Sequence, residues 1–123
     1  EEMFSRSLDL VDECGLTHLH VFPFSPRPGT PAAKMPQVAR EAVKERARRL
    51  RQKGEAAFAA HLAAQVGATR EVLVETVDQN GATGRSEHFT PVRLAAVSPD
   101  GQWAPGQVLA ATIAGHDGRM LLA

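Results

Sequence analysis

The chain has 123 residues, 43% hydrophobic and 23% charged, proportions of an ordinary soluble globular protein large enough for one domain, or for a small domain with an attached segment. It has no apolar run of about 18 residues to cross a membrane, and the start, Glu1-Glu2-Met3-Phe4, lacks the basic region of a signal peptide. The single cysteine, Cys14, excludes an internal disulfide framework and a Cys-only metal or cluster site.

Without an initial Met, the chain is expected to be a piece of a longer protein, and its cysteine usage fits a reducing, cytoplasmic setting. Its formal net charge of zero conceals a division. Residues 1–20 hold Glu1, Glu2, Asp9, Asp12 and Glu13 against Arg6 alone. Residues 34–53 hold Lys34, Arg40, Lys44, Arg46, Arg48, Arg49, Arg51 and Lys53 against Glu41 and Glu45. From residue 66 onward four Arg face six acids. A polyanion would be drawn to the middle segment.

Phe4, Leu8, Val11 and Asp12 recur at helical spacing, and Gly15 suits a helix stop. Thr17 to Phe24, with Leu19 and Val21, reads as a strand following that helix, the grammar of an α/β fold. Pro23 to Pro31 holds four prolines in nine residues and reads as a rigid loop, neither helix nor central strand. Pro36 suits the first position of a second helix. From there Val43, Ala47, Leu50, Gly54, Phe58 and Leu62 form one apolar stripe, running to about Val66 and stopped by Gly67. Gly54 within that pattern costs roughly 1 kcal/mol relative to Ala, so a bend there is open. Arg40, Lys44, Arg48 and Arg51 mark the opposite face.

Beyond residue 67 the pattern changes to short strands. Glu71–Val77 is a strand, and Asn80-Gly81 signals a hairpin. A weaker strand lies around Ala82–Ser86, then a clear one over Thr90–Val97, closed by the turn Ser98-Pro99-Asp100-Gly101. Pro105-Gly106 turns into Gln107–Gly115, where Leu109, Ala111 and Ile113 share a face, and Asp117-Gly118 turns into Arg119–Leu122. Five short antiparallel strands without a helix suggest a small closed or nearly closed barrel. The class expected is therefore α+β: a helix–strand–loop over 1–35, a basic linking helix over 36–67, and a barrel over 68–123.

The basic helix has two readings: a solvated face that keeps a helix soluble, or a set of phosphate contacts. His18, His20, His61, His88 and His116 are scattered and give no metal spacing. No nucleophile elbow, zinc-protease, P-loop or dinucleotide motif occurs. Gly84 to Arg93 is more informative, because Arg85 and Arg93 reach phosphate while His88 and Phe89 offer faces to unpaired bases. Phe89 is equally explained as a core residue.

His20-Val21-Phe22-Pro23-Phe24-Ser25-Pro26-Arg27-Pro28-Gly29-Thr30-Pro31-Ala32 resembles the late barrel strand and loop of the radical-SAM methylthiotransferases. Gly84-Arg85-Ser86-Glu87-His88-Phe89-Thr90-Pro91-Val92 resembles their C-terminal TRAM domain, an OB-like barrel. The long helix between them fits too, so the resemblance covers nearly the whole chain. Phe24-Ser25 stands where the isopentenyladenosine branch usually has Tyr-Ser. Arg27-Pro28 stands where the ribosomal-protein branch is acidic. The strings are most similar to the branch modifying threonylcarbamoyladenosine beside the tRNA anticodon.

The resemblance implies a parent transferase adding a methylthio group at C2 of that adenine, with S-adenosylmethionine and two 4Fe–4S clusters. The family's C-x-x-x-C-x-x-C run is missing from these residues, so this chain alone is expected to hold no cofactor or metal and to catalyse nothing. By resemblance, Ser25, Arg27, Gly29 and Thr30 belong to a loop near the cofactor or target base, with Arg27 suited to a carboxylate. The expected partners are the tRNA anticodon stem–loop and the upstream part of the same chain, with no membrane. The alternatives are a free-standing, sequence-tolerant RNA-binding barrel and a purely structural packing domain.

Overall fold

The structure, a computed structural model, describes residues 1–95 and 101–123. These residues form helices α1 (Glu2–Glu13), α2 (Pro31–Lys34) and α3 (Arg40–Gln65). They also form strands β1 (Thr69–Asp78), β2 (Gly81–Ser86), β3 (Pro91–Leu94), β4 (Val108–Thr112), β5 (Gly115–His116) and β6 (Leu121–Leu122). The chain divides into two compact units, Glu1–Phe58 and Ala59–Ala123. No helix among the described residues is long and apolar enough to cross a membrane.

In the first unit, α1 buries Val11 and half-buries Phe4 and Leu8, the face its spacing implies. Asp12 instead points to an ion pair with Lys53. The helix ends in paired bonds, Gly15 N–H to the Asp12 carbonyl and Leu16 N–H to the Val11 carbonyl, with Gly15 at φ 60°. That left-handed residue satisfies carbonyls the last turn would otherwise orphan.

The strand expected over Thr17–Phe24 does not form; the segment is irregular. β-branched and aromatic residues favour a pleated, half-buried surface only where a neighbouring strand completes the ladder. Among the described residues none lies beside this segment. Its side chains pack on α3 instead. His18 meets Phe58 edge-on at 5.0 Å, and Leu19 lies where a Cβ on Gly54 would come within 3.0 Å. Gly54 therefore makes room for Leu19, and α3 continues through it to Gln65.

The proline-rich loop is non-helical through Thr30, and then Pro31 opens the four-residue α2. Thr30 caps it, its hydroxyl accepting from Ala33 N–H at 3.3 Å. Pro36 does not begin the long helix. Met35 before it is extended, as residues preceding proline tend to be, and α3 begins at Arg40.

The second unit holds one sheet in the order β4-β1-β2-β3-β6-β5. The α+β class is as expected, but the described residues form six strands rather than five, and β6 runs parallel to β3. β1 and β2 pair as the expected hairpin, Asp78 opposite Gly81. The end of the strand expected over Thr90–Val97, residues 96–97, and residues 98–100 of the turn Ser98-Pro99-Asp100-Gly101 lie outside the described residues.

The sheet's two ends, β4 and β5, are consecutive in the chain. Ile113 N–H bonds the Ala68 carbonyl before β1, and Ala114 N–H bonds the Leu122 carbonyl in β6. Crossing between them in two residues curls the sheet on itself, as a small barrel requires. Leu62, Val72, Val74, Ala82, Val92, Leu94, Ile113 and Leu121 form the core, and Leu62 brings the last turns of α3 to it. His61 bonded to Thr90 at 2.7 Å and Gln65 bonded to Arg70 at 2.7 Å fix that end of the helix.

Candidate nucleic-acid interface

On a helix turning about 100° per residue, Arg40, Lys44, Arg48 and Arg51 fall within about 80° of one another. Arg46, Arg49 and Lys53 centre on the opposite side. The structure uses the two sets differently. Glu1 accepts from Arg49 at 2.6 Å and from Arg46 at 3.4 Å, and Lys53 pairs with Asp12. The Arg49 guanidinium also lies 4.9 Å from the Phe4 ring centre, and that of Arg46 5.9 Å. The hydrogen bond from Arg49 holds the Glu1 carboxyl below its ordinary pKa.

Glu1 and Asp12 thus engage one flank of the basic helix. On the other flank all four cations are exposed. Arg48 binds Glu45 at 2.6 Å and Gln52 at 2.9 Å, an in-helix pair that lowers the Glu45 pKa and raises that of Arg48. Among the described residues Arg40, Lys44 and Arg51 make no ion pair. Arg40 and Lys44 also border an open groove of about 810 Å³ lined with Phe22, Phe24, Ser25 and Met35.

The loop residues have local duties. Gly29 is left-handed at φ 83°, and the Thr30 hydroxyl donates to the Arg27 carbonyl at 2.8 Å. Ser25 and Arg27 are exposed, and Arg27 makes no ion pair among the described residues.

In the barrel, β2 turns Ala82, Gly84 and Ser86 inward and leaves Arg85 exposed. Arg93 stands opposite Thr83 and Arg85 opposite Pro91, which places both guanidinium-bearing residues on the outer side of the ladder. Neither is free of acids. The register of β1 against β2 slips between Val74 and Thr76, so Glu75 occupies a bulge, from which its carboxylate accepts from Arg85 at 3.2 Å. Arg93 donates twice to Asp78, at 3.1 and 3.2 Å. The carboxyl of Asp78 is held below its ordinary value, first by Asn80 N–H and then by Arg93.

The turn Ser86–Thr90 presents Phe89, which is 74% exposed and therefore no core residue. Its φ of 59° is the one left-handed value outside glycine among the described residues. Four hydrogen bonds hold it so: Phe89 N–H to the Ser86 carbonyl, Ser86 N–H to the Thr90 carbonyl, His88 N–H to the Ser86 hydroxyl, and Arg85 to the Phe89 carbonyl at 3.3 Å. His88 is exposed, its ring 6.1 Å from that of His61.

Sequence reading missed Glu75, Asp78 and His61. The one available signal was the Asp78–Gly81 turn, whose Asn80 N–H donates to the Asp78 carboxylate at 2.7 Å. The bulge and the His61–Thr90 contact depend on packing that no local pattern announces.

In the first unit α3 has one flank paired with acids and one left open, and in the second unit the curled sheet displays an aromatic turn. No protein-family model matches the chain. It is 40% identical, over 93% of its length, to the threonylcarbamoyladenosine tRNA methylthiotransferase MtaB of Rickettsia prowazekii. It is 45% identical, over 71% of its length, to the tRNA-2-methylthio-N(6)-dimethylallyladenosine synthase of Sorangium cellulosum. To the ribosomal protein uS12 methylthiotransferase RimO of Marinobacter nauticus it is 34% identical over 92% of its length. The chain belongs to the radical-SAM methylthiotransferase family. It spans about a quarter of the length of these curated relatives: 25%, 20% and 26% respectively.

An iron–sulfur cluster is held by several cysteine thiolates. This chain has one cysteine, exposed at the end of α1, and no cluster of three or more possible ligands among the described residues. Its residues do not fit that group.

Proposed function

We propose that this chain is the tRNA-positioning, C-terminal part of a cytoplasmic methylthiotransferase that adds a methylthio group at C2 of threonylcarbamoyladenosine beside the anticodon. The match to the Rickettsia enzyme over 93% of the chain supports that branch, with Phe24-Ser25 and Arg27-Pro28 as the local signs. In this reading the S-adenosylmethionine and both 4Fe–4S clusters of the parent enzyme are held by residues outside this chain. Ser25, Arg27, Gly29 and Thr30 form the loop beside the cofactor or target base, where Arg27 holds the carboxylate of the modified adenine bidentately. Residues 68–123 are the TRAM barrel.

One observation carries the RNA role: Arg40, Lys44 and Arg51 stay exposed and unpaired among the described residues, while Glu1 and Asp12 pair with Arg46, Arg49 and Lys53. The cations of such a stripe displace counterions condensed on nucleic-acid phosphates, and that release supplies a large share of nucleic-acid affinity. A second reading, the barrel as a packing domain, is favoured by the Arg85–Glu75 and Arg93–Asp78 pairs, which cancel charge on its outer side.

The test compares two triple variants of the full chain for tRNA binding at physiological salt. Arg40→Glu/Lys44→Glu/Arg51→Glu weakens binding by more than about tenfold, because three phosphate contacts become repulsions. Arg46→Gln/Arg49→Gln/Lys53→Gln lowers thermal stability but leaves affinity within about threefold. Equal losses from both sets, or none from either, would refute the assignment.

A further inference from the structure

We infer that the Ser86–Thr90 turn is a preformed stacking post for one unpaired nucleobase, with Phe89 as the contact and Arg85 as its positioning residue; this rests on the tRNA-positioning reading. A bulky residue with positive φ is uncommon and is kept only when its surroundings over-determine it. Here the surroundings are named. Ser86 and Thr90 close the turn through their backbones, the Ser86 hydroxyl takes His88 N–H, and Arg85 takes the Phe89 carbonyl. Beneath them His61 bonds the buried Thr90.

Among the described residues this constraint does not bury Phe89, which is 74% exposed. A glycine would occupy φ 59° without the steric cost, so the side chain is held out in spite of the backbone, not because of it. An aromatic face fixed in solvent suits a planar apolar ligand. Stacking on a base is tolerant of base identity, since every base has a π-face, but it requires an unpaired base.

Arg85 is not placed as a phosphate reader. Its guanidinium lies between Glu75 and the Phe89 carbonyl, so it anchors the turn to the bulge of β1. The ligand class is therefore single-stranded or loop RNA, engaged through a base face, with Phe89 contributing little to paired RNA.

The test uses the full chain with two RNAs of equal phosphate count, a stem–loop and a fully paired duplex, each carrying 2-aminopurine. Phe89→Gly keeps or raises the melting temperature, by up to roughly 6 °C, and weakens stem–loop binding about tenfold with duplex binding unchanged. Phe89→Trp restores stem–loop affinity and the quenching of loop 2-aminopurine, and Arg85→Lys loses part of the quenching. A Phe89→Gly chain that binds the stem–loop as well as wild type, or that loses both RNAs equally, overturns the inference. If wild type retains salt-sensitive binding in that case, only the stacking post fails. If wild type binds neither RNA, the tRNA-positioning reading fails with it.

Discussion

At Gly84 a single hydrogen matters. A Cβ there would sit 2.0 Å from the Leu73 carbonyl oxygen, backbone that cannot yield without shifting β1 against β2. Gly84→Ala is expected to destabilise the barrel by about 2–4 kcal/mol, read as a lower urea midpoint at unchanged slope. Gly115→Ala is the control, since nothing lies within 4 Å of that position, and its cost stays within about 0.5 kcal/mol. An unchanged midpoint for Gly84→Ala would contradict the close approach of the two strands. Sequence alone flagged this glycine only as part of a family string. The carbonyl it must clear belongs to a residue eleven positions earlier, brought there by the hairpin register. Phe89 shows the same limit from the other side. Its exposure was undecidable from its type, and the bonds that settle it come from Ser86, Thr90 and Arg85.

Elements with their own stop signals were readable in place. The hairpin at Asn80-Gly81, the α1 stop at Gly15 and the face of half-buried Leu109 with buried Ala111 and Ile113 all carry local chemistry, and all stand where expected. Thr17–Phe24 was not readable, because a strand is defined by a partner and the described residues hold none beside it. The parallel pairing of β6 with β3 was also invisible, being set by how the sheet curls. The β1–β3 end of the sheet leads to a pH prediction. Asp78 titrates below the ordinary aspartate value of 3.8, so its stabilising contribution is complete above that value and is lost as pH falls through the lower folded one. The stability difference between wild type and Asp78→Asn, from urea unfolding, should be largest at about pH 7 and shrink on acidification to about pH 2.5. An equal difference at both would mean that the Asn80 and Arg93 contacts do not act through the charge.

For the whole molecule, a net charge of zero was the least informative number in the sequence. The acidic and basic segments do not simply average: Glu1 and Asp12 pair with Arg46, Arg49 and Lys53, and Glu75 and Asp78 pair with Arg85 and Arg93. Among the described residues Arg40, Lys44 and Arg51 stay open on one flank of α3, while Arg27, Lys34 and Arg119 are open singly elsewhere. The division into acidic and basic runs was legible from the sequence. Which cations survive the pairing was not, because the partners are separated by up to 48 positions. The most direct measurement is the salt dependence of tRNA binding by the full chain. With Arg40, Lys44 and Arg51 on phosphates, log affinity should fall against log salt with a slope of about −2 to −3, and the triple Glu variant should flatten it by about 2. A slope near zero, or one that the triple variant leaves unchanged, would contradict the account.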